Sequence, residues 1–261
     1  MQQYFQPSHD GLEYLRSKLS ISEPKFLHRV IFLCLVLLAS SCVSVEFDRM
    51  SGTAFPDEQF KNGENHSINS IFLDAGILVV VDEDDTNIPA LNISDNECIS
   101  DAELDSLEQG YRNSPLFPDD NTYYLWAVVV DHFGEVLGAC SPNFVLGKMW
   151  STHTRSALAL FYPHSTIQND DERYLRTTVH EIGHALNLHH EDGDGTTTIM
   201  NQSGDIGDDW VYGFSLDSQD HLQNHPSKCK YPGAVGGAPF TWVIDEHHAW
   251  HASASTAFNC N

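Results

Sequence analysis

An eleven-residue segment of this chain contains four histidines and one glutamate, and three of these histidines have spacings that restrict how the segment can fold. His180 and His184 are four residues apart, Glu181 lies between them, and His190 follows six residues later. Residues four apart on a helix project from one face, so the first two rings can bind a single ion. His190 can join them only if the helix ends soon after His184 and the chain turns back. The spacing therefore predicts a helix, a tight turn and a returning segment around one metal site.

The turn is expected at Asn187, three residues after His184. Asparagine adopts left-handed backbone angles more readily than any residue except glycine, and such a residue commonly ends a helix. His189 is adjacent to the expected third ligand and is an alternative to it. The ten-residue spacing from His180 favours His190.

Glu181 has the position of a catalytic base and not of a metal ligand. A catalytic zinc keeps one coordination position for water and so takes three protein ligands. Glu181 lies about 100° around the helix from His180, so it is expected to reach the bound water. Such a carboxylate takes the proton of the zinc-bound water as that water attacks a carbonyl carbon, and then protonates the leaving amine.

This segment resembles the extended motif of the metzincin zinc endopeptidases, H-E-x-x-H-x-x-G-x-x-H followed by a methionine turn. His180, Glu181, His184 and His190 match it, and Asn187 stands where the family usually has glycine. Met200, ten residues after His190, matches the methionine turn at the distance typical of the matrixin-like branch. The resemblance implies an α+β fold with a mixed twisted sheet, an active-site helix and a C-terminal helix. It also implies Zn²⁺ as cofactor and a protein or peptide as substrate.

Residues 201–214 should form a wall of the substrate pocket, by the same resemblance. Some branches carry a tyrosine two residues after the methionine, where it touches the zinc or the transition state. Gln202 occupies that position here, and Tyr212 is the one candidate replacement in the loop.

The remaining periodicity predicts the elements around this motif. Asn169 and Glu172 resemble a capping box, which predicts a helix from about 170 to 187. Its apolar face is predicted to consist of Leu175, Val179, Ile182 and Leu186. Further segments read as strands at 77–81, 123–130 and 157–162, and as helices at 100–112 and 215–224. The first of these helices is predicted to open with a capping box formed by Ser100 and Glu103. The resemblance places the strand at 157–162 beside the substrate cleft, and an ordinary sheet strand is the alternative.

The N-terminal segment has the pattern of an export signal. An apolar run at 30–39 follows Arg16, Lys18, Lys25 and Arg29 and precedes Ser40-Ser41-Cys42. The run is shorter than the span of about 20 residues that crosses a bilayer. Small residues before a cysteine resemble a bacterial lipobox, in which Cys42 would be acylated. Ordinary cleavage with release, or an uncleaved anchor, are the alternatives.

These observations divide the chain into four parts. Residues 1–42 are the predicted signal with its lipobox-like cysteine, 43–67 a polar tether, 68–228 the metallopeptidase domain and 229–261 a C-terminal tail. The protein is expected to be exported, and either anchored to the cell envelope by lipid or secreted. Contact with a membrane is expected only through that N-terminal anchor, and the sequence indicates no oligomeric state.

The cysteines fit an exported protein. Cys98, Cys140, Cys229 and Cys260 lie outside the signal, and an even number in an oxidising compartment predicts two disulfides. Three connectivities are possible, and one of them, Cys229 with Cys260, would staple the tail. A four-cysteine zinc site is disfavoured because no C-x-x-C spacing occurs.

Acidic residues dominate the charge. The formal net charge is −24, which makes nucleic acid an improbable partner. Acidic clusters occur at 82–85, 191–194 and 205–209. Metzincins often carry structural Ca²⁺, which needs such carboxylates. No cluster has the spacing of a helix-loop-helix calcium loop, so solvated surface is the favoured interpretation of each.

Three other functions are alternatives to that of an endopeptidase. An exported zinc-binding protein without turnover would need the three histidines but not Glu181. A metal-dependent exopeptidase typically takes a distant glutamate as its third ligand, whereas His190 is local. A purely structural lipoprotein would be acidic and exported, but it would not explain the motif. The sequence therefore predicts a zinc metalloendopeptidase that acts through Glu181.

Overall fold

The structure is a computed structural model of the 261-residue chain. It describes residues 42–83, 87–91, 98–115, 122–136, 139–140, 146–149, 155–191, 197–201 and 210–224. The predicted signal before Cys42, Gln202 and the tail with Cys229 and Cys260 lie outside these ranges. No helix within them has the length and apolar character needed to cross a membrane.

A five-stranded mixed sheet runs through the centre of the described region, in the order β4-β1-β5-β9-β8. Its strands are β1 Cys42–Arg49, β4 Leu78–Glu83, β5 Thr122–Val130, β8 Gly147–Met149 and β9 Ala157–Phe161. The strands β4, β1, β5 and β9 are parallel, and β8 pairs antiparallel with β9. In register, Val45 lies between Val81 and Leu125.

Within the described ranges, five helices and two small hairpins accompany this sheet. The helices are α1 Ile68–Asp74, α2 Asp101–Tyr111, α3 Ser165–Asn169, α4 Asp171–Ala185 and α5 Leu216–Asn224. The hairpins are β2 Gln59–Lys61 with β3 Glu64–His66, and β6 Glu135–Val136 with β7 Ala139–Cys140. A disulfide between Cys98 and Cys140 links the second hairpin to the segment just before α2. The predicted capping box at the start of α2, Ser100 with Glu103, is confirmed.

Alternating side chains of β5 and β9 pack into two separate cores. On β5, Leu125, Ala127 and Val129 face the core that contains the apolar residues of α1, α4 and α5. Trp126, Val128 and Val130 face the other core, with Leu104 and Leu107 of α2. The sheet is therefore covered on both faces at β5 and β9, and the predicted α+β architecture with a mixed sheet is confirmed.

The prediction that residues 43–67 form a polar tether is wrong. Val43, Val45 and Phe47 are fully buried, and β1 lies between β4 and β5 in the sheet. Their alternation with polar residues is the pattern of a strand. Two acidic residues of β1 made the segment look polar in the sequence, although both are buried and accept hydrogen bonds. Glu46 accepts hydrogen bonds from the backbone N–H groups of 113 and 114, and Asp48 accepts one from the Trp126 indole at 2.6 Å.

The strand expected at 157–162 is an interior strand. All of its residues are buried, and it has β5 on one side and β8 on the other. Of its two interpretations, the ordinary sheet strand is correct. The edge strand at this end of the described sheet is β8, which no sequence pattern had indicated.

Candidate metal centre

Helix α4 carries the motif, and both of its ends are closed by side chains or turns. Its N-cap is Asp170, which accepts the backbone N–H of Arg173 at 3.0 Å. The prediction that Asn169 caps it is wrong by one residue, because Asn169 is the last residue of α3. Aspartate and asparagine cap about equally well, so the preceding short helix decided between them. The predicted apolar face is confirmed, since Leu175, Val179, Ile182 and Leu186 are buried.

The C-terminal end of α4 is a Schellman motif centred on Asn187. Asn187 has φ 67°, the left-handed conformation that the sequence predicted. Its N–H donates to the carbonyl of His184 at 2.8 Å, and the N–H of Leu188 donates to that of Gly183 at 2.9 Å. These two bonds define the motif. The turn reverses the chain directly after the second histidine, so that His190 can return to the helix.

Arg155, in the segment just before β9, binds the same end of α4. Its side chain is buried and donates to the carbonyl of Ala185 at 2.9 Å, one of the carbonyls that a helix end leaves unpaired. Burial lowers the pKa of its guanidinium to about 10. Arg155 itself has φ 52°. No sequence pattern indicated this role of Arg155, because its partner is thirty residues away.

The three predicted ligands meet through the same ring nitrogen. The Nε2 atoms of His180 and His184 lie 3.0 Å apart, and that of His190 lies 3.1 Å from each. Across the described residues, this triad is the one group of three or more potential ligands close enough to hold a metal ion. His189 does not belong to it. Burial, followed by the neighbouring His190, lowers the pKa of His189 to about 4.

Hydrogen bonds to two of the rings decide which nitrogen carries the proton. Nδ1 of His180 lies 2.7 Å from the carbonyl oxygen of Ile199, and Nδ1 of His184 lies 2.8 Å from that of Leu188. A carbonyl only accepts, so Nδ1 is the protonated donor in both rings. Their Nε2 lone pairs then point at one another and at His190.

Such an arrangement suits a cation. Lone pairs that converge at 3 Å repel unless a proton or a metal lies among them. In a tetrahedral site with Zn–N bonds of about 2.0–2.1 Å, ligand nitrogens lie roughly 3.3 Å apart, within a few tenths of an ångström of the distances found here. Burial lowers the pKa of His180 and of His184 well below its usual range, and the neighbouring imidazoles lower it further. The triad therefore favours the neutral rings that bind zinc.

The side chain of Glu181 extends from helix α4 toward the edge strand β8. Its side chain is buried and accepts a hydrogen bond from the backbone N–H of Met149. Burial raises the pKa of the carboxyl to about 8, although the Met149 hydrogen bond acts in the opposite direction. Gly147 provides the space for it, because a Cβ at position 147 would lie 2.7 Å from Cγ of Glu181.

Met200 lies in a turn that packs directly under α4. Its side chain is fully buried, and a Cβ on Gly183 would lie 2.6 Å from its sulfur. The N–H of Asn201 donates to the carbonyl of Thr198 at 3.3 Å, which closes the turn. A glycine on the helix thus allows the methionine to approach the backbone between the first two histidines.

Arg176 fastens this turn to the helix. Its buried Nη2 donates to the carbonyl oxygens of Ile199 at 3.1 Å and of Thr198 at 3.4 Å, and also to that of Asn201. Arg176 precedes His180 by four residues, so the two side chains share a face of α4 and both bind this segment. We did not expect this role from the sequence, although an arginine within a buried helix was a signal that could have indicated it.

Two other expectations change with the structure. Tyr212 donates its hydroxyl to the carbonyl of Glu172 at 2.9 Å, in the first turn of α4, so it does not stand in for the family tyrosine at the zinc. Of the acidic clusters, Asp82 and Glu83 are exposed as expected, but Glu191 is buried. Solvated surface is therefore the wrong interpretation for Glu191.

Comparisons with known proteins add a likeness to solved structures. No protein-family model matches the sequence, and no curated protein matches it. Among solved structures, the chain is similar to a zinc-dependent peptidase from Methanocorpusculum labreanum (strain Z), at 15% identity and a TM-score of 0.44. The match covers 69% of this chain and 100% of that one. Inferences about function therefore rest on the geometry of the site.

Proposed function

We propose that the protein is a zinc-dependent endopeptidase whose metal is held by His180, His184 and His190. The observation that carries the proposal is the meeting of three buried or half-buried histidine Nε2 atoms at one point, on a helix that also carries the buried carboxyl of Glu181. A three-histidine site leaves a coordination position open for water, which is the pattern of catalytic and not structural zinc.

Glu181 supplies the proton transfers in this proposal. A Zn²⁺ ion held by the three histidines would supply an acidified water for attack on the peptide carbonyl. Glu181 accepts the proton of the attacking water and returns it to the leaving amine. Burial raises the pKa of this carboxyl to about 8, which is close to the pH at which a group that both accepts and returns a proton works best. The N–H of Met149 orients the carboxyl toward β8.

An extended peptide is the substrate class that the edge strand favours. Within the described sheet, β8 pairs on one side only, with β9. Apart from the N–H of Met149, which donates to Glu181, its other backbone edge can pair with a further strand. Glu181 packs against two residues of β8, Gly147 and Met149. A peptide bound there would pass beside the proposed base. The same geometry supports cleavage within a chain, because a strand can extend past both ends of β8.

Export remains part of the proposal. The Cys98–Cys140 disulfide supports an oxidising compartment, where such bonds persist. Cys42 is the first residue of β1 and is half-buried, so a lipid attached there would lie at the start of the sheet without a tether. Structural Ca²⁺ has no candidate group of ligands in the part of the chain that is described.

Peptide cleavage by purified, zinc-loaded protein tests the activity. A mixed peptide library is incubated with the parent and with Glu181→Ala, after the zinc content of each is measured. We expect one zinc in both proteins and a loss of cleavage of about 100-fold or more in the variant, the scale of general acid–base catalysis. If both proteins hold one zinc and neither cleaves any peptide, the endopeptidase proposal fails and a zinc-binding role replaces it.

A further inference from the structure

We propose that Glu191 is a positioning residue that fixes the third ligand, His190, by tying it to the methionine turn and to helix α5. This inference rests on the proposed zinc site but not on peptide cleavage. Glu191 follows His190 directly and is only 8% exposed. A buried carboxylate needs polar partners, so the groups around it show what it holds.

The carboxylate is surrounded by hydroxyl groups from two distant segments. Thr198 donates its hydroxyl to Oε2 of Glu191 at 2.6 Å. Ser215 and Ser218, before and within α5, both donate to Oε1. A single side chain thus joins the end of the metal-binding motif to the methionine turn and to the C-terminal helix.

The backbone of Glu191 is fixed as well. Its N–H donates to the carbonyl of Met200 at 3.2 Å. Its own carbonyl accepts the side-chain amide of Asn201 at 2.9 Å. Every polar group of the residue therefore contacts the turn or α5.

His190 lies between two fixed points. On its N-terminal side, the Schellman bonds of Asn187 and Leu188 anchor the chain to α4. On its C-terminal side, Glu191 anchors it to the methionine turn. His180 is bonded to the same turn through Ile199, so the turn sets the position of one ring directly and of another through Glu191. Outer contacts of this kind commonly change metal affinity by about 10- to 100-fold.

The hydrogen bonds around Glu191 allow substitutions to separate the effect of its shape from the effect of its charge. The Thr198 hydroxyl has a second acceptor, Oδ1 of Asn201, at 3.0 Å. In Glu191→Gln it can donate there and accept from the new amide, while the amide oxygen still faces the two serines. Glutamine therefore keeps the connections, whereas Glu191→Ala removes them. If Glu191 acts by position, glutamine preserves the zinc site and alanine weakens it.

Zinc affinity, measured by competition with a chelator, tests this inference without any need for activity. We expect Glu191→Ala to bind zinc at least 10-fold more weakly and Glu191→Gln to stay within about threefold of the parent. The visible spectrum of the Co²⁺-loaded protein should change with alanine and not with glutamine. Ser218→Ala, which removes one donor far from the rings in sequence, should weaken zinc binding several-fold. Glu46→Ala is the control, because it removes a buried carboxylate of β1 that accepts two backbone N–H groups.

The outcomes are separable. Unchanged zinc affinity in Glu191→Ala overturns the inference, as does an equal loss in Glu191→Gln, which would assign the effect to charge. If Glu191→Ala does not fold, Ser218→Ala decides, and an unchanged affinity there overturns the inference. An equal loss in Glu46→Ala would show a general effect of destabilisation and would also overturn it. A parent that binds zinc but cleaves nothing defeats the proposed function and leaves this test intact.

Discussion

At the scale of single residues, the site depends on two glycines that have no Cβ atom. Gly147 and Gly183 each occupy a position where a Cβ would lie under 3.0 Å from a side chain of the site, Glu181 in one case and Met200 in the other. Real Cβ atoms do not approach so closely. Both glycines are therefore needed for packing, and not for an unusual backbone conformation.

Gly147→Ala should displace Glu181 without removing a metal ligand. The added methyl group would overlap Cγ of the glutamate, and misplacement of a catalytic group by about 1 Å can lower the rate by roughly 100-fold. We expect peptide cleavage at least 10-fold slower, with zinc affinity within twofold of the parent.

Gly110→Ala is the matched control for this experiment. Gly110 lies in α2, and a Cβ there would meet no atom within 4 Å. This variant should keep full activity and gain about 0.5–1 kcal/mol of stability from the lower backbone entropy of alanine. Normal activity in Gly147→Ala would show that Glu181 does not need its present position.

Asn187 should accept glycine but not valine. At φ 67° glycine has no steric penalty, whereas a β-branched residue is strongly disfavoured. We expect the free energy of unfolding of Asn187→Gly, measured in urea, to lie within about 1 kcal/mol of the parent's. That of Asn187→Val should be lower than the parent's by about 2 kcal/mol or more. Equal stability of the two variants would contradict the role of the left-handed turn.

At the scale of elements, α4 is the organising unit. It contributes two of the three proposed metal ligands and the proposed base, and it binds the methionine turn through Arg176 and His180. Its buried face packs against the sheet, while its end is closed by Asn187 and Arg155. The helix thereby connects the sheet, the returning segment and the turn.

Arg176→Met tests the attachment of the turn to α4. The change keeps a long apolar side chain but leaves three buried carbonyls without this donor, and each such loss costs about 1–3 kcal/mol before relaxation. We expect the free energy of unfolding to fall by about 2–4 kcal/mol. Arg173→Met on the same helix loses a half-exposed ion pair with Asp170 and should lose less than about 1 kcal/mol. Similar losses in both variants would contradict this assignment.

At the scale of the whole molecule, the site weakens the fold that contains it when no metal is bound. Glu181 has a pKa near 8 in the folded state and near 4.5 when exposed. Between these values the folded protein holds a proton that the unfolded chain has released. Stability therefore falls as pH rises from about 4.5 to 8.

Glu181→Gln should remove this pH dependence. In zinc-free protein, we expect the stability of the glutamine variant relative to the parent to increase by on the order of a few kcal/mol between about pH 5 and pH 8.5. Urea unfolding at both pH values measures it, and the other ionising groups are common to both proteins. A difference that does not change with pH would show that Glu181 ionises normally in the folded state.

Local sequence determined the parts of the protein that depend on local geometry. The histidine spacing, the left-handed Asn187 and the capping box at Ser100 each involve residues within about one to three helical turns, where spacing fixes which side chains can meet. The convergence of the three histidines could be predicted for that reason. The apolar face of α4 followed from the same periodicity.

Only the tertiary structure decided the contacts between distant segments. Cys42–Arg49 became a central strand because its buried acids find partners far along the chain, and β9 lies inside the sheet because β8 pairs with it. Arg176 and Glu191 look like ordinary charged residues in the sequence, yet in the fold they bind the methionine turn and α5. Whether a charged residue is solvated or buried depends on partners that sequence spacing does not specify, and these partners arise only when the chain packs.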